Sequence, residues 1–389
     1  MTNTLKNNGL FSVYLLGFLF AFHTALPTYI NSSFLNTFIS EKMIGIIYII
    51  ASIFTICCFL FMPLVLKKFG NYHTALFLIF VEILVLLGLS FFDSFSWLIP
   101  LFIANLVAIP LIYFSTDIFL EGYSSNRATG RIRGIYLTSV NLAWAISPLV
   151  SGLILVEGDY SRIYFASFIF MLPVLLILVS RLKRFKDSPY EATHVWQTIK
   201  VISRSRDLRN IFMANWFLFF FYSLMTIYTP LYLSKNIGFS WGEIGITFSI
   251  MLLPFVLFQF ILGRLADKKW GEKEMLSLGF IIIAISTSLI SFITDKNIVL
   301  WATILFVTRI GASIIEVMCD TYFFKKVDSL NANIISFFRM SNPIAYIVAP
   351  LFAVIMLNFF SLELQYLFLA LGLIMFIGLK FSLSLEDTK

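Results

Sequence analysis

Charge is what this 389-residue chain has least of: 13% of its residues are Asp, Glu, Lys or Arg, against roughly 25% in soluble domains. With 59% hydrophobic residues and a mean hydropathy of +0.91, that scarcity excludes a water-soluble globular domain and places most of the chain in lipid. Cysteine is scarce as well. Cys57 and Cys58 are adjacent and Cys319 lies far away, which gives no disulfide framework and no metal-ligand spacing. The three histidines, His23, His73 and His194, are scattered. No His-Glu-x-x-His helix and no nucleophile–base pair can be read from them, so no enzyme, metal or cofactor is expected. A G-x-x-x-x-G-K-[ST] loop is missing too, which removes ATP drive by this chain. The net charge of +7 does not point to nucleic acid, because the basic residues follow the loops of a membrane protein.

What the chain does have is apolar length. Runs of about 20 apolar residues recur, as spanning helices require. They predict twelve spans near 10–31, 43–66, 74–92, 97–120, 133–156, 161–181, 209–233, 243–265, 275–294, 298–323, 332–357 and 361–383. The first, flanked by Lys6 alone, reads as a retained helix rather than a cleaved signal. With an inside N-terminus, 22 Lys and Arg fall on the cytoplasmic side and 4 opposite, leaving Arg309 and Arg339 within spans. This bias predicts a multi-pass protein of the plasma or inner membrane with both termini cytoplasmic. Asn31-Ser32-Ser33 fits a glycosylation acceptor.

The longest loop, 182–208, divides the chain into 1–181 and 209–389. In it Val195, Ile199 and Ile202 share a helical face, the pattern of a short helix on the membrane surface; a plain linker fits as well. The two sides repeat each other at an offset near 201. LKKFG (66–70) matches DKKWG (267–271), MIGI (43–46) matches EIGI (243–246), AISPL (145–149) matches IVAPL (347–351), and TDIF (116–119) matches CDTY (319–322). A duplicated six-helix unit with a site between the copies is one logic of secondary transporters.

GRLADKKWGEKEML, residues 263–276, resembles the cytoplasmic-loop signature of the major facilitator superfamily, G-x-L-A-D-R-x-G-R-K, with one extra residue before the second glycine. The resemblance implies an all-α membrane protein of twelve helices in two pseudo-symmetric six-helix bundles. Gly263, Asp267, Lys268, Lys269 and Gly271 would form a loop latch, Gly263 through close packing and Gly271 through a tight turn. In the first copy Met62 and Leu66 replace the glycine and aspartate, so the latch is degenerate there. NLAWAISPLVSG (141–152) is similar to the glycine-rich run of the family's antiporters, with Ala143, Ser147, Pro148, Ser151 and Gly152 at its positions.

Spans one, four, seven and ten line the cavity in that family. Span ten contains TRIGASIIEVMCDTYFFKK, with Arg309, Glu316 and Asp320. At about 100° per residue the three share one face. Charges at such depth face a partner or a wet cavity. Asp320 is mirrored by Asp117, and both are expected beside loop lysines (Lys67, Lys68; Lys268, Lys269), in gating. Arg309 and Glu316 have no charged mirror. They either handle substrate and protons or form a structural ion pair, Glu316 with Arg339 of span eleven. His23 either relays protons or is a neutral, hydrogen-bonded histidine. Glu82 is expected to pair with a neighbour or stay protonated, outside transport. Asn141, Trp144, Tyr222 and Asn342, with Arg339, complete the candidate substrate set, while Tyr228 and Gln259 also offer polar contacts. The expected function is secondary transport of a small solute by alternating access, as a monomer in the lipid bilayer. Proton-coupled efflux leads; a uniporter or symporter, or a sensor on the same fold, are the alternatives.

Overall fold

The structure is a computed structural model. It describes the backbone of residues 3–39, 41–92, 94–124, 129–155, 159–187, 190, 195–268, 271–327, 332–359 and 363–386. Within these it describes the side chains of all but 3–8, 41–43, 95, 129–130, 195–198, 260, 263–264, 266–268, 332–333 and 358–359.

Backbone amides in lipid must find partners within their own segment, and the described residues answer with helices. In chain order they are α1 (Asn3–Thr28), α2 (Asn31–Asn36), α3 (Glu41–Phe91), α4 (Phe95–Tyr123), α5 (Thr129–Ile154), α6 (Ser161–Ile177), α7 (Val195–Arg204), α8 (Arg206–Leu231), α9 (Trp241–Lys268), α10 (Glu272–Ile290), α11 (Ile298–Lys326), α12 (Ala332–Arg339), α13 (Ser341–Val354) and α14 (Leu364–Leu383). Eleven stretches among the described residues are long and apolar enough to span. One, Ile44–Phe91, covers 48 residues. A straight helix of that length would run about 70 Å, over twice the roughly 30 Å hydrocarbon core. Gly70, at φ 75° and ψ 166°, breaks α3 into two spans, giving twelve crossings.

That break is built by charge. The restarted helix presents the Asn71 amide to Asp187 Oδ1 at 2.9 Å, and Tyr190 donates to the same oxygen at 2.6 Å. A Cβ on Gly70 would lie 2.5 Å from Asp187 Oδ2. An aspartate from beyond α6 thus occupies the helix N-terminus that Leu66 cannot serve. In the second copy Gly271 is the N-cap of α10 at φ −67°, a conformation open to any residue, so the tight turn expected there does not need its glycine. A ten-residue helix, α7, occupies the central loop.

Within the first six spans α1 packs on α4, α5 and α6, and α3 on α4 and α6; within the last six α8 packs on α11, α13 and α14, and α10 on α11 and α14. The two sets meet mainly along α5–α9, α3–α13 and α5–α11. Gly279 and Gly311 let α10 and α11 touch backbone to backbone: a Cβ on Gly311 would sit 2.7 Å from the Gly279 carbonyl. Gly311 is two residues from Arg309, so this crossing fixes the height of the deepest charge. Asn31, the would-be glycosylation acceptor, is buried and accepts from the Tyr164 hydroxyl at 2.8 Å.

Candidate functional site

Three groups of polar side chains lie within the bundle. The first is at the end that carries the basic loops. Arg339, the last residue of α12, donates from Nε to Asp117 Oδ2 at 2.7 Å and from Nη2 to Asp320 Oδ2 at 3.4 Å. Arg133, buried in α5, donates from Nη1 to Asp117 Oδ1 at 2.6 Å and from Nη2 to Glu121 Oε2 at 3.4 Å. Its guanidinium also lies over the Phe324 ring of α11, 3.5 Å from the centroid. Asp117 therefore has both oxygens engaged, one by an arginine of each six-span set. Ser336 of α12 adds a bond to the Phe59 carbonyl at 2.8 Å, closing the same end.

Asp117 and Asp320 both bond Arg339, but the partners expected from the sequence differ. Lys67 and Lys68 are exposed; the cations paired with Asp117 are arginines. Arg133, counted with the loops in the sequence, is 1% exposed within its helix. Arg339, expected beside substrate, sits in this cluster, and the Glu316–Arg339 pair is not formed. The missed signal was available: spans five and eleven are repeat mates, and each carries an arginine, Arg133 and Arg339, within its first turns.

The second group is on α11, farther from that end. Glu316 accepts from Gln259 Nε2 of α9 at 2.6 Å, and Gln259 Oε1 accepts from Asn141 Nδ2 of α5 at 2.9 Å. This chain of amides spans the two sets of helices at mid-depth. About 10 Å farther along α11, Arg309 is 2% exposed, and its Nε and Nη1 have no hydrogen-bond partner among the described residues. Its guanidinium lies 4.9 Å from the Phe221 ring centroid and 5.6 Å from that of Tyr222, whose buried hydroxyl is also unpartnered. Tyr29 and Tyr346 stand within electrostatic reach. Tyr29 packs at 5.0 Å on Phe248 and at 6.4 Å on Trp144. It also lines a narrow cleft with Pro148, Trp241 and Gly245, at the end away from the basic loops. Arg309 and Tyr222 thus come together with Trp144 nearby. Asn342 is half-buried on α13 with no hydrogen-bond partner among the described residues.

The third group joins α1, α3 and α4. His23 Nδ1 contacts the Phe20 carbonyl at 2.6 Å, and Nε2 contacts Glu82 Oε1 at 3.0 Å. Asn105 Nδ2 donates to the same oxygen at 2.6 Å. Both His23 and Glu82 are within 1% of full burial. Glu82 does pair with a neighbour, as expected, and that neighbour is His23. The loop-signature side chains cannot be placed beside these groups: those of Gly263, Asp267 and Lys268 at the end of α9, and all of Lys269, lie outside the described residues.

None of the three groups gathers metal ligands: among the described residues no three His, Cys, Asp or Glu could hold an ion, and Cys57, Cys58 and Cys319 are free. No curated protein sequence matches the chain significantly. Among solved structures 304 chains match. One is the human organic anion transporter MFSD10 (TETRAN), at TM-score 0.78 and 12% identity, covering 97% of this chain and 99% of that one. The sequence model of the Major Facilitator Superfamily matches twice, over residues 9–245 and 211–388. A twelve-span bundle, a charged closure between its two sets and these two overlapping matches have one reading: the chain belongs to the major facilitator superfamily.

Proposed function

We propose that this membrane transporter carries a small organic anion by alternating access, with Arg309 as the anion's anchor. One observation carries the reading: a buried guanidinium with Nε and Nη1 unpartnered among the described residues. A buried charge normally has a counter-ion, because desolvation costs several kcal/mol per ion. Glu316, the nearest acid along α11, is bonded to Gln259 instead. A carboxylate or sulfonate arriving between Arg309, Tyr222 and Tyr29 would supply the missing acceptor. Trp144 and Phe248 would contact its apolar part. The similar human protein is an organic anion transporter, which agrees with this class.

Asp117, Asp320, Arg133 and Arg339 form the gate in this reading. The Lys and Arg bias supports the gated end as cytoplasmic, with both termini inside. Glu316 and His23 are the proton-handling candidates, which supports proton-coupled movement over plain uniport. A monomer holds every residue that the mechanism uses. The test is counterflow in proteoliposomes with a panel of labelled carboxylates, sulfonates and matched cations. Exchange of anions whose apparent affinity falls about 10- to 100-fold in Arg309→Gln is the expected result. Exchange confined to cations, or an unaffected Arg309→Gln, overturns the reading.

A further inference from the structure

The His23–Glu82 contact is not needed to close the bundle or to hold an anion, yet it is the driest ionisable pair among the described residues of the first six spans. Its geometry constrains its protons. Nδ1 lies 2.6 Å from the Phe20 carbonyl, so Nδ1 carries a hydrogen and donates it. Nε2 lies 3.0 Å from Glu82 Oε1, so that contact also contains one proton. Whether the proton rests on nitrogen or oxygen, the pair's net charge is zero. Among the described residues Glu82 Oε2 is buried without a partner, and so is Asn105 Oδ1, beside the Nδ2 that donates to Oε1. By turning over, the Asn105 amide can donate to a carboxylate or accept from a carboxyl O–H. It serves either form of Glu82.

We propose that His23 and Glu82 form a site for one exchangeable proton, and that the closed, dry packing of α1, α3 and α4 requires this proton to be bound. This rests on the reading of the chain as a carrier. The step balances simply: the proton leaves the Nε2–Oε1 contact to water, and the pair passes from net zero to a carboxylate facing the lone pair of a neutral imidazole. Such a net charge, with no counter-ion beside it, is costly where water does not reach it. The proton therefore binds or leaves when the helices part, and the pair closes loaded. Few groups compete for this role nearby. Tyr113 of α4 faces Phe20 at 4.8 Å. Tyr136 of α5 and Glu316 of α11 stand within electrostatic reach of Tyr113. Tyr164 of α6 is bonded to Asn31. Asp117, Glu121 and Arg133 are engaged with one another.

Infrared difference spectra between acid and alkaline buffer, on the full chain in lipid vesicles, test this with the proton itself as ligand. The expected result is a carboxyl band that titrates together with imidazole bands. Glu82→Gln, an isostere that keeps the bond to Asn105, deletes the band. His23→Gln removes the imidazole bands and moves the carboxyl band's midpoint. Glu316→Gln leaves it in place, separating the two acids. Acid–alkaline difference spectra from which Glu82→Gln deletes no carboxyl band, or in which the band it deletes is indifferent to His23→Gln, overturn the proposal. Because no solute is added, a chain that fails to exchange anions would sink the carrier reading without removing this signal.

Discussion

A guanidinium in lipid-depth protein is worth its place only if something answers it. Phe221 and Tyr222 answer Arg309 in part, at roughly 0.5–2 kcal/mol for a desolvated cation–π contact. A hydrogen bond to a charged group contributes about 1.5–3 kcal/mol. Arg309→Gln should therefore lower apparent anion affinity roughly 10- to 100-fold in counterflow. Arg309→Lys should recover only part, since an ammonium lacks the planar fork. Beside the other end of α11, Asp117 of α4 holds two arginines, so removing it leaves the buried Arg133 and the half-buried Arg339 each short of a partner. Asp117→Asn should be more harmful to thermal stability than Asp320→Asn, whose carboxylate holds one. The measure is the temperature of half-loss of the monodisperse peak in size-exclusion chromatography; equal losses would refute the ranking. Helical geometry made the shared face of Arg309, Glu316 and Asp320 legible in the sequence. It could not say that Arg339 reaches Asp117 across 222 positions rather than Glu316, because side-chain reach across a helix contact is set by packing, not by period.

Elements here owe their shape to a few backbone events. Gly70 breaks α3, and the restarted helix leans on Asp187. Gly70→Ala should cost about 1–3 kcal/mol from the backbone at φ 75°, ψ 166° alone, with more from the clash with Asp187. The same size-exclusion melt reads it, and Asp187→Ala should lose part of the same stability rather than add fully to it. Gly311 sets a different limit: Gly311→Val would push α10 from α11 at a cost of about 1–3 kcal/mol and shift Arg309. It should lower exchange more than the milder Gly279→Ala. The spans themselves were legible because apolar length and the loop charges are large, local signals. The role of Asp187 was not, because an exposed aspartate in a loop looks the same whether or not it caps a distant helix.

For the whole molecule the decisive contacts are those between the two sets of six. Arg339–Asp117, Arg133 on Phe324, Ser336 on Phe59 and Asn141–Gln259 all join them. The first three lie at one end and the fourth at mid-depth, while α5 and α9 approach closely at the other, where a Cβ on Gly245 would lie 3.1 Å from the Pro148 carbonyl. Alternating access in this reading means exchanging the first set of contacts for tighter ones at the second. Arg339→Gln should favour the state open at the basic end. In a background with Cys57, Cys58 and Cys319 replaced by serine, Ser336→Cys should then react several-fold faster with a membrane-impermeant thiol reagent. Unchanged reactivity would argue that the arginine cluster is not the gate. The twofold repeat made this architecture readable in advance. It did not reveal which pairs cross the boundary, since those join unlike positions of the two copies.

The charges of α11 also bear on how the chain is made. On insertion scales Arg, Glu and Asp each disfavour a central position by up to about 2.5–3.5 kcal/mol, and α11 carries all three. The polar partners of Glu316, Gln259 and through it Asn141, are synthesised before α11. Asp320 must wait for Arg339, in the following span. A nascent α11 is thus poorly placed to enter lipid alone, and its lasting residence depends on helices already in the membrane and on the arrival of α12. A chain halted after residue 327 should leave α11 more accessible from water than the complete chain does.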